Sequence, residues 1–550
     1  MFRYRLKQVS VLLIIIAATL SMTLPARADD HLPPTPTATP SDGPITEEMM
    51  QAFLEDQEPA IEQAAIMALV PCTNGMASGY PCQNVDLLSF LPLSSIGGGN
   101  GNDIWGWTDP QTSKEYAIMG RTNGTAFVDI SNPESPIYLG NLPTATTNSS
   151  WRDIKVYSNH AFIVSEAGSH GMQVFNLTRL RNVTNPPVTF SADARYTQFG
   201  NAHNIAINEA TGFAYAIGSN TCSGGLHMIN IQNPTSPTSA GCVSSDGYTH
   251  DTQCVIYQGP DAAYNGREIC FSSNEDTLTI VDVTSKSTPV QLARKTYSGA
   301  NYTHQGWLTE DHQYFLLDDE GDEQALGVNT RTYIWDVRNL DNPLHIGTYT
   351  GPTAAIDHNL YVKSNFAYEA NYRAGLRILD ISNIANASLT EVAYFDIYPS
   401  SNSAAFNGAW SSYPFFPSGV VIVSGIEQGL FVLRPNLGGG PTLTPSPTFT
   451  ASPTSTGLPG GTVFFDDFES DQGWVRNANG SDTATTGLWE RGNPEATDSN
   501  GPKQLGNTVS GSNDLVTGRL AGTSAGVHDI DSGVTSIRSP LINLPASGNL

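Results

Sequence analysis

Asp276–Pro289 reads DTLTIVDVTSKSTP, and the reading of this stretch decides the fold. Alternating apolar β-formers run into an Asp-containing turn closed by proline, the signature of a half-buried strand ending in a turn. The same pattern stands upstream as GTAFVDISNPESP (Gly124–Pro136) and GLHMINIQNPTSP (Gly225–Pro237), and downstream as TRTYIWDVRNLDNP (Thr330–Pro343) and GLRILDISN (Gly375–Asn383). Degraded copies are GMQVFNLT (Gly171–Thr178) and GLFVLRP (Gly429–Pro435). A unit recurring at roughly 50 residues is the size of one propeller blade.

Working outward, a first strand precedes each copy. Asp103, Asp153, His203, His250, His304, His358 and Asn407 each stand just before an apolar stretch, and each is followed by a second strand such as AFIVSE, EICFSS or YFLLDD. A fourth strand follows the repeated one, as in PIYLGNL and PLHIGTY. Four strands per unit and seven units describe an all-β, seven-bladed propeller. The seventh unit runs out after three strands at Leu433, and Asp86–Leu93 (DLLSFLPL) resembles the missing fourth. A blade stitched from both ends of the ring removes an open strand edge. The competing arrangement is a six-bladed ring with a separate terminal sheet.

Composition agrees with a turn-rich β protein: 51 Gly and 35 Pro in 550 residues, with 14% charged residues. The 52 acidic and 26 basic residues leave a net charge of -26. Nucleic acid is excluded as a partner, because phosphate binding needs a basic footprint. The acidity suits an extracellular surface, or solubility alone.

Arg3, Arg5 and Lys7 precede the apolar run Val9–Leu20, and Ala26-Arg27-Ala28 offers a small-x-small cleavage site. Residues 1–28 read as a signal peptide, and no segment within 29–550 approaches the length of a membrane span. The expected location is therefore secreted or cell-surface. Residues 29–71 read as a flexible leader with one or two short helices between Ile45 and Leu69, interrupted by Pro59. The propeller occupies 72–435, a Pro/Thr/Ser linker 436–461, and a second module 462–550.

Six cysteines fall into near neighbours: Cys72 with Cys82, Cys222 with Cys242, Cys254 with Cys270. Export favours disulfides and the lack of CxxC pairs argues against zinc, although spacing alone does not establish connectivity.

The run from Cys72 to Pro435, including NDIWGWTDP, HAFIVSEAGSHGMQVF, YTHDTQCV, NEDTLTIVDV, YTHQGWLTED and SGIEQGLFVLRP, resembles the LVIVD-repeat proteins of the choice-of-anchor B family. That resemblance implies an exported bacterial protein whose shared body is joined to differing C-terminal anchoring parts, and it supplies no biochemical activity. The later text FFDDFESDQGWVRN, GLWERGNP and SGVTSIRSPLINLP resembles the β-sandwich accessory domains of secreted bacterial enzymes, with its last strands expected to be missing.

In a propeller the innermost strand starts at one face, and the loop between second and third strands returns to it. The seven aligned positions are therefore expected to ring one channel mouth, with Arg121, Glu166, Asn220, Glu275, Asp319, Asn371, Arg373 and Glu427 around them. Four of the 11 histidines, His203, His250, His304 and His358, occupy that ring. Converging imidazoles and carboxylates form a metal or acid/base site, with zinc, manganese or calcium as the divalent ion. The alternative is that each histidine bonds neighbouring backbone and fixes blade register. Asp318-Asp319-Glu320 with Asp322-Glu323 offers the clustered oxygens of a calcium loop, but it lacks the spacing of an EF-hand and reads rather as a solvated acidic loop. No GxSxG, HExxH or phosphate-binding GxxxxGK[ST] occurs. The function expected is a binding scaffold for an extracellular protein, glycan or small molecule; the competing function is a metal-dependent hydrolase working in the His/Asp funnel.

Overall fold

The computed structural model describes residues 47–437, apart from residue 62, and short runs between 468 and 540. The expected signal peptide, the leader up to residue 46 and the linker from 438 onward lie outside the described residues. Two compact units divide at Thr442 and Leu443.

The first unit is the seven-bladed propeller. Its inner strands, blade 1 to blade 7, are Gly101–Thr108, Arg152–Tyr157, Asn204–Asn208, Asp251–Ile256, Thr303–Leu308, Asn359–Lys363 and Ala409–Tyr413. Each leads outward through antiparallel neighbours. The six-bladed alternative fails because the seventh sheet is complete: Val85–Pro92 pairs along Gly429–Pro435, from Val85 opposite Pro435 to Pro92 opposite Gly429. Two blades are extended. Val188–Thr189 adds a parallel strand to blade 1, and Tyr80–Gln83 pairs with the outer strand of blade 6.

The repeated sequence is each blade's third strand, and its chemistry explains its recurrence. In blade 4, Leu278, Ile280 and Val281 are buried, because neighbouring blades cover both faces of the middle strands. The outer strand Val290–Lys295 is largely exposed. The Asp or Asn that ends the third strand accepts the amide two residues on, as in Ser131 N–H to Asp129 (3.0 Å), Gln232 to Asn230 (3.0 Å), Thr284 to Asp282 (2.9 Å), Arg338 to Asp336 (3.0 Å) and Ser382 to Asp380 (2.8 Å). The acidic letter of the repeat is thus an Asx turn that reverses the chain toward the fourth strand.

Three disulfides join Cys72 to Cys82, Cys222 to Cys242 and Cys254 to Cys270. Ahead of the ring, Glu47–Asp56 is a helix. The chain after it is not helical: Ile66 and Val70 bridge Phe90 and Leu87 of the closing strand, so backbone bonding to that strand replaces the helix that the residue spacing beyond Pro59 allows.

In the second unit the described runs form short antiparallel pairs, Trp489–Gly492 with Asp514–Thr517 and Val475–Arg476 with Ile537–Arg538. No helix among the described residues is long and apolar enough to cross a membrane.

Candidate functional site

His203, His250, His304 and His358 come together at one channel mouth. Their rings follow one another at centroid separations of 4.5, 4.1 and 4.6 Å. His250 Nδ1 donates to the carbonyl of His304 (2.9 Å), His304 Nδ1 to that of His358 (3.1 Å), and His358 Nδ1 to that of Trp410. A carbonyl only accepts, so the proton sits on Nδ1 and each Nε2 keeps its lone pair. The Nδ1 contacts fix blade register and leave the Nε2 of the same rings open to a ligand.

Glu320 faces these lone pairs. Its carboxylate oxygens lie 3.7 Å from His304 Nε2 and 3.8 Å from His358 Nε2, and the Tyr372 hydroxyl donates to it (2.6 Å). One ligand atom each from His250, His304 and Glu320 falls within 4.8 Å of the others. Two imidazoles and a carboxylate, with His358 beside them, suit a borderline first-row cation such as zinc or manganese better than calcium. Backbone carbonyls on Nδ1 are contacts of the kind that orient metal-binding histidines in general.

The mouth is partly covered. Phe53 of the N-terminal helix packs on Trp151, Phe406 and Trp410 at centroid distances of 5.0, 6.0 and 5.9 Å. Together with the four histidines, Glu320 and Tyr372 they enclose about 20 Å³, room for roughly one water or ion.

The remaining expected residues divide. Asp103 and Asp153 are not at the histidine level; blades 2 and 7 contribute Trp151 and Trp410 there. The inner strand of blade 2 begins two residues earlier, relative to the histidine position, than the sequence spacing suggests. Asp103 and Asp153 instead accept the amides of Ile154 (3.1 Å) and Ile205 (2.6 Å) and flank Lys155, whose Nζ is 2.5 Å from Asp153 and 3.6 Å from Asp103. Of the loop residues, Glu166 reaches the ring, accepting from His203 Nδ1 at 2.6 Å. Asn407 accepts from Arg373 and donates to Glu427 and to the carbonyl of Asp56 in the helix. Asn371 donates to Glu369 and Arg121 to the carbonyl of Gly98. Asn220 accepts the Gly200 amide, Asp319 is held by Tyr297 and two amides, and Glu275 bridges Thr303. The acidic loop is a correction: Asp318, Asp319, Glu320, Asp322 and Glu323 are all buried, not solvated, because the loop turns inward between blades.

Burial holds the His250 and His304 pKa values well below the usual range and that of His358 at about 3. It opposes charge on His203 too, yet the Glu166 carboxylate outweighs it and raises that pKa. In metal-free protein, imidazole NMR titration is expected to find His203 above 6.5 and the other three below it, with Glu166→Gln moving only His203 downward. The linkage signs differ. His203 stabilises the fold below its unfolded pKa and loses that contribution as pH rises through its folded value. The other three cost stability as pH falls below about 6.5, where the unfolded chain takes up protons that the fold refuses. His203 titrating with the other three overturns the assignment.

A second cavity, of about 560 Å³, is lined by the inner strands farther along the channel. Blades 5, 6, 7 and 1 supply one wall of Trp307, Tyr361, Tyr413, Phe415 and Trp105, and blades 2 to 4 supply the polar groups Lys155, Asn208, Glu209, Asp251 and Gln253, set among aliphatic neighbours such as Val156, Ile207 and Val255. The rings brace one another: Trp105 lies 5.6 Å from Tyr361 and 5.1 Å from Tyr413, and Trp307 lies 5.0 Å from Tyr361. Lys155 Nζ sits 4.7 Å over Trp105. Burial pushes Asp251 up to about 7. The ring alignment pointed to the mouth and gave no sign of this cavity, whose lining lies farther along the inner strands, Trp307 three residues beyond His304 and Tyr361 three beyond His358.

The chain is a seven-bladed β-propeller carrying LVIVD repeats. The LVIVD repeat family model matches residues 111–144 and 357–394, within blades 1 and 6. No curated protein sequence matches the chain. Among solved structures, the chain is similar to the computationally designed Ika8 protein (9% identity, 68% of this chain and 97% of that one, TM-score 0.40). It is also similar to the Cps50 (Swd1) β-propeller domain of Myceliophteria thermophila (10%, 62% and 97%, TM-score 0.39). Hydrazine synthase of Kuenenia stuttgartiensis is a third (12%, 58% and 92%, TM-score 0.42).

Proposed function

We propose that this chain is an exported or surface-associated binding scaffold whose ligand is a glycan held in the 560 Å³ channel cavity. The single observation that carries the reading is the two-sided lining. Aromatic rings on four adjacent blades offer faces for the C–H side of a sugar, while carboxylate, amide and ammonium groups on the other three match its hydroxyls. Three disulfides support an oxidising, extracellular location. The linker 436–461 then tethers a β-sandwich module at 462–550. Hydrolysis in the histidine funnel is disfavoured, because the mouth behind Phe53 leaves room for an ion and not for a substrate. The His/Glu320 cluster is instead a closed metal centre that braces the blades.

The test is a glycan array followed by calorimetry of the best binder. Trp307→Ala and Asp251→Asn are expected to weaken binding by about 10-fold or more, each removing roughly 1.4 kcal/mol. Trp307 is only half-buried, so the variant is expected to fold. An array without binders, or undiminished affinity in both variants, sinks the glycan reading.

A further inference from the structure

Asp322 and Glu323 open the short helix Asp322–Leu326 in blade 5, and Asp357 lies just before the inner strand of blade 6. The three residues are 0%, 2% and 2% exposed, and one oxygen from each lies within 4.8 Å of the others. No donor among the described residues bonds either oxygen of Asp357 or Oδ1 of Asp322. Asp322 Oδ2 accepts from the Tyr333 hydroxyl and lies 3.6 Å from Arg331 Nη1. Nearby Asp319 shows what an ordinary buried carboxylate looks like: it accepts from the Tyr297 hydroxyl (2.6 Å) and from the amides of Asn301 (2.8 Å) and Tyr302 (2.7 Å).

An isolated buried carboxylate is costly, and three together cost more unless a cation or protons compensate them. Three carboxylates against one guanidinium leave two negative charges, the complement of one divalent ion. We propose that Asp322, Glu323 and Asp357 hold a calcium ion, separate from the histidine centre. The donor set contains only oxygen, which selects a hard cation, whereas the histidine ring offers nitrogen. Burial and mutual repulsion disfavour charge on all three carboxyls, a cost that a bound cation offsets. The ion joins the inward loop of blade 5 to the entry of blade 6. Glu320 stands two residues before Asp322 and His358 one residue after Asp357, so calcium also fixes the base of the histidine centre.

Calcium-stripped full-length protein is titrated with calcium chloride by calorimetry, with melting followed in parallel and magnesium, manganese and zinc chlorides as comparisons. One calcium per chain and a rise in Tm are expected. Asp357→Asn is expected to weaken binding by at least about 10-fold and to raise the Tm of the stripped protein, since it removes an unpaired buried charge. Loss of a merely structural contact lowers that Tm instead. Glu323→Gln gives the same reading if Asp357→Asn fails to fold, and His304→Ala keeps the calcium response. Wild-type protein that neither binds calcium nor gains Tm overturns the proposal. So does wild-type calcium affinity in both carboxylate variants, or, in His304→Ala protein, whose histidine centre is impaired, binding of magnesium, manganese or zinc in preference to calcium.

Discussion

Deleting Val85–Pro92 is expected to abolish cooperative folding of the propeller, although the segment lies at one end of the ring and outside every LVIVD match. The strand is the outer member of blade 7, and within it Val85, Leu87 and Phe90 are fully buried, with Leu91 4% exposed. At roughly 1.5–3 kcal/mol for each buried side chain, these four contribute on the order of 6–12 kcal/mol. That matches the whole stability of about 5–15 kcal/mol usual for a domain. Removal also strips Ile66 and Val70 of their backbone partners and exposes Gly429–Pro435 as an open edge. Phe90→Ala is the graded version, with an expected loss of about 3–5 kcal/mol; Phe90 packs on Phe431 at 4.6 Å and Tyr80 at 6.4 Å. Denaturant unfolding of residues 47–437 with and without the strand decides it. A deletion that melts cooperatively at the wild-type midpoint means that the ring does not depend on this closure.

The second large effect concerns the histidine centre. Zinc-loaded or manganese-loaded wild-type protein is expected to retain about one ion per chain after gel filtration, with a stabilisation near 4 kcal/mol at a thousandfold excess over Kd. Glu320→Gln and His304→Ala are expected to weaken retention by about 100-fold or more, because each removes a direct ligand where loss of an outer partner already costs 10–100-fold. Asp103→Ala and Asp153→Ala serve as the comparison. They sit with Lys155, so they are expected to destabilise the protein while leaving metal content unchanged. Metal-free wild-type protein after loading, with every histidine variant merely weaker by about 1–3 kcal/mol, leaves the ring as a register device alone.

The amino-acid sequence by itself determined the propeller, its seven blades and the strand that closes it. Those features rest on local periodicity: alternating apolar residues, an Asx turn at Asp282 and its equivalents, and a repeat length that counts blades. It also placed four histidines at equivalent positions, and near-neighbour cysteines in pairs. The tertiary structure decided what surrounds them. Glu320 and Asp319 are adjacent in sequence, yet one faces the imidazoles and the other is consumed by Tyr297 and two amides; no local pattern distinguishes them. Asp103 and Asp153 belong to Lys155 because strand pairing, not residue spacing, sets their depth in the channel. Phe53 covers part of the mouth only because its helix is brought over Trp151, Phe406 and Trp410, far away in the chain. The acidic run Asp318–Glu323 looks soluble as text and is buried in the fold, since burial depends on neighbouring blades that the run itself does not encode.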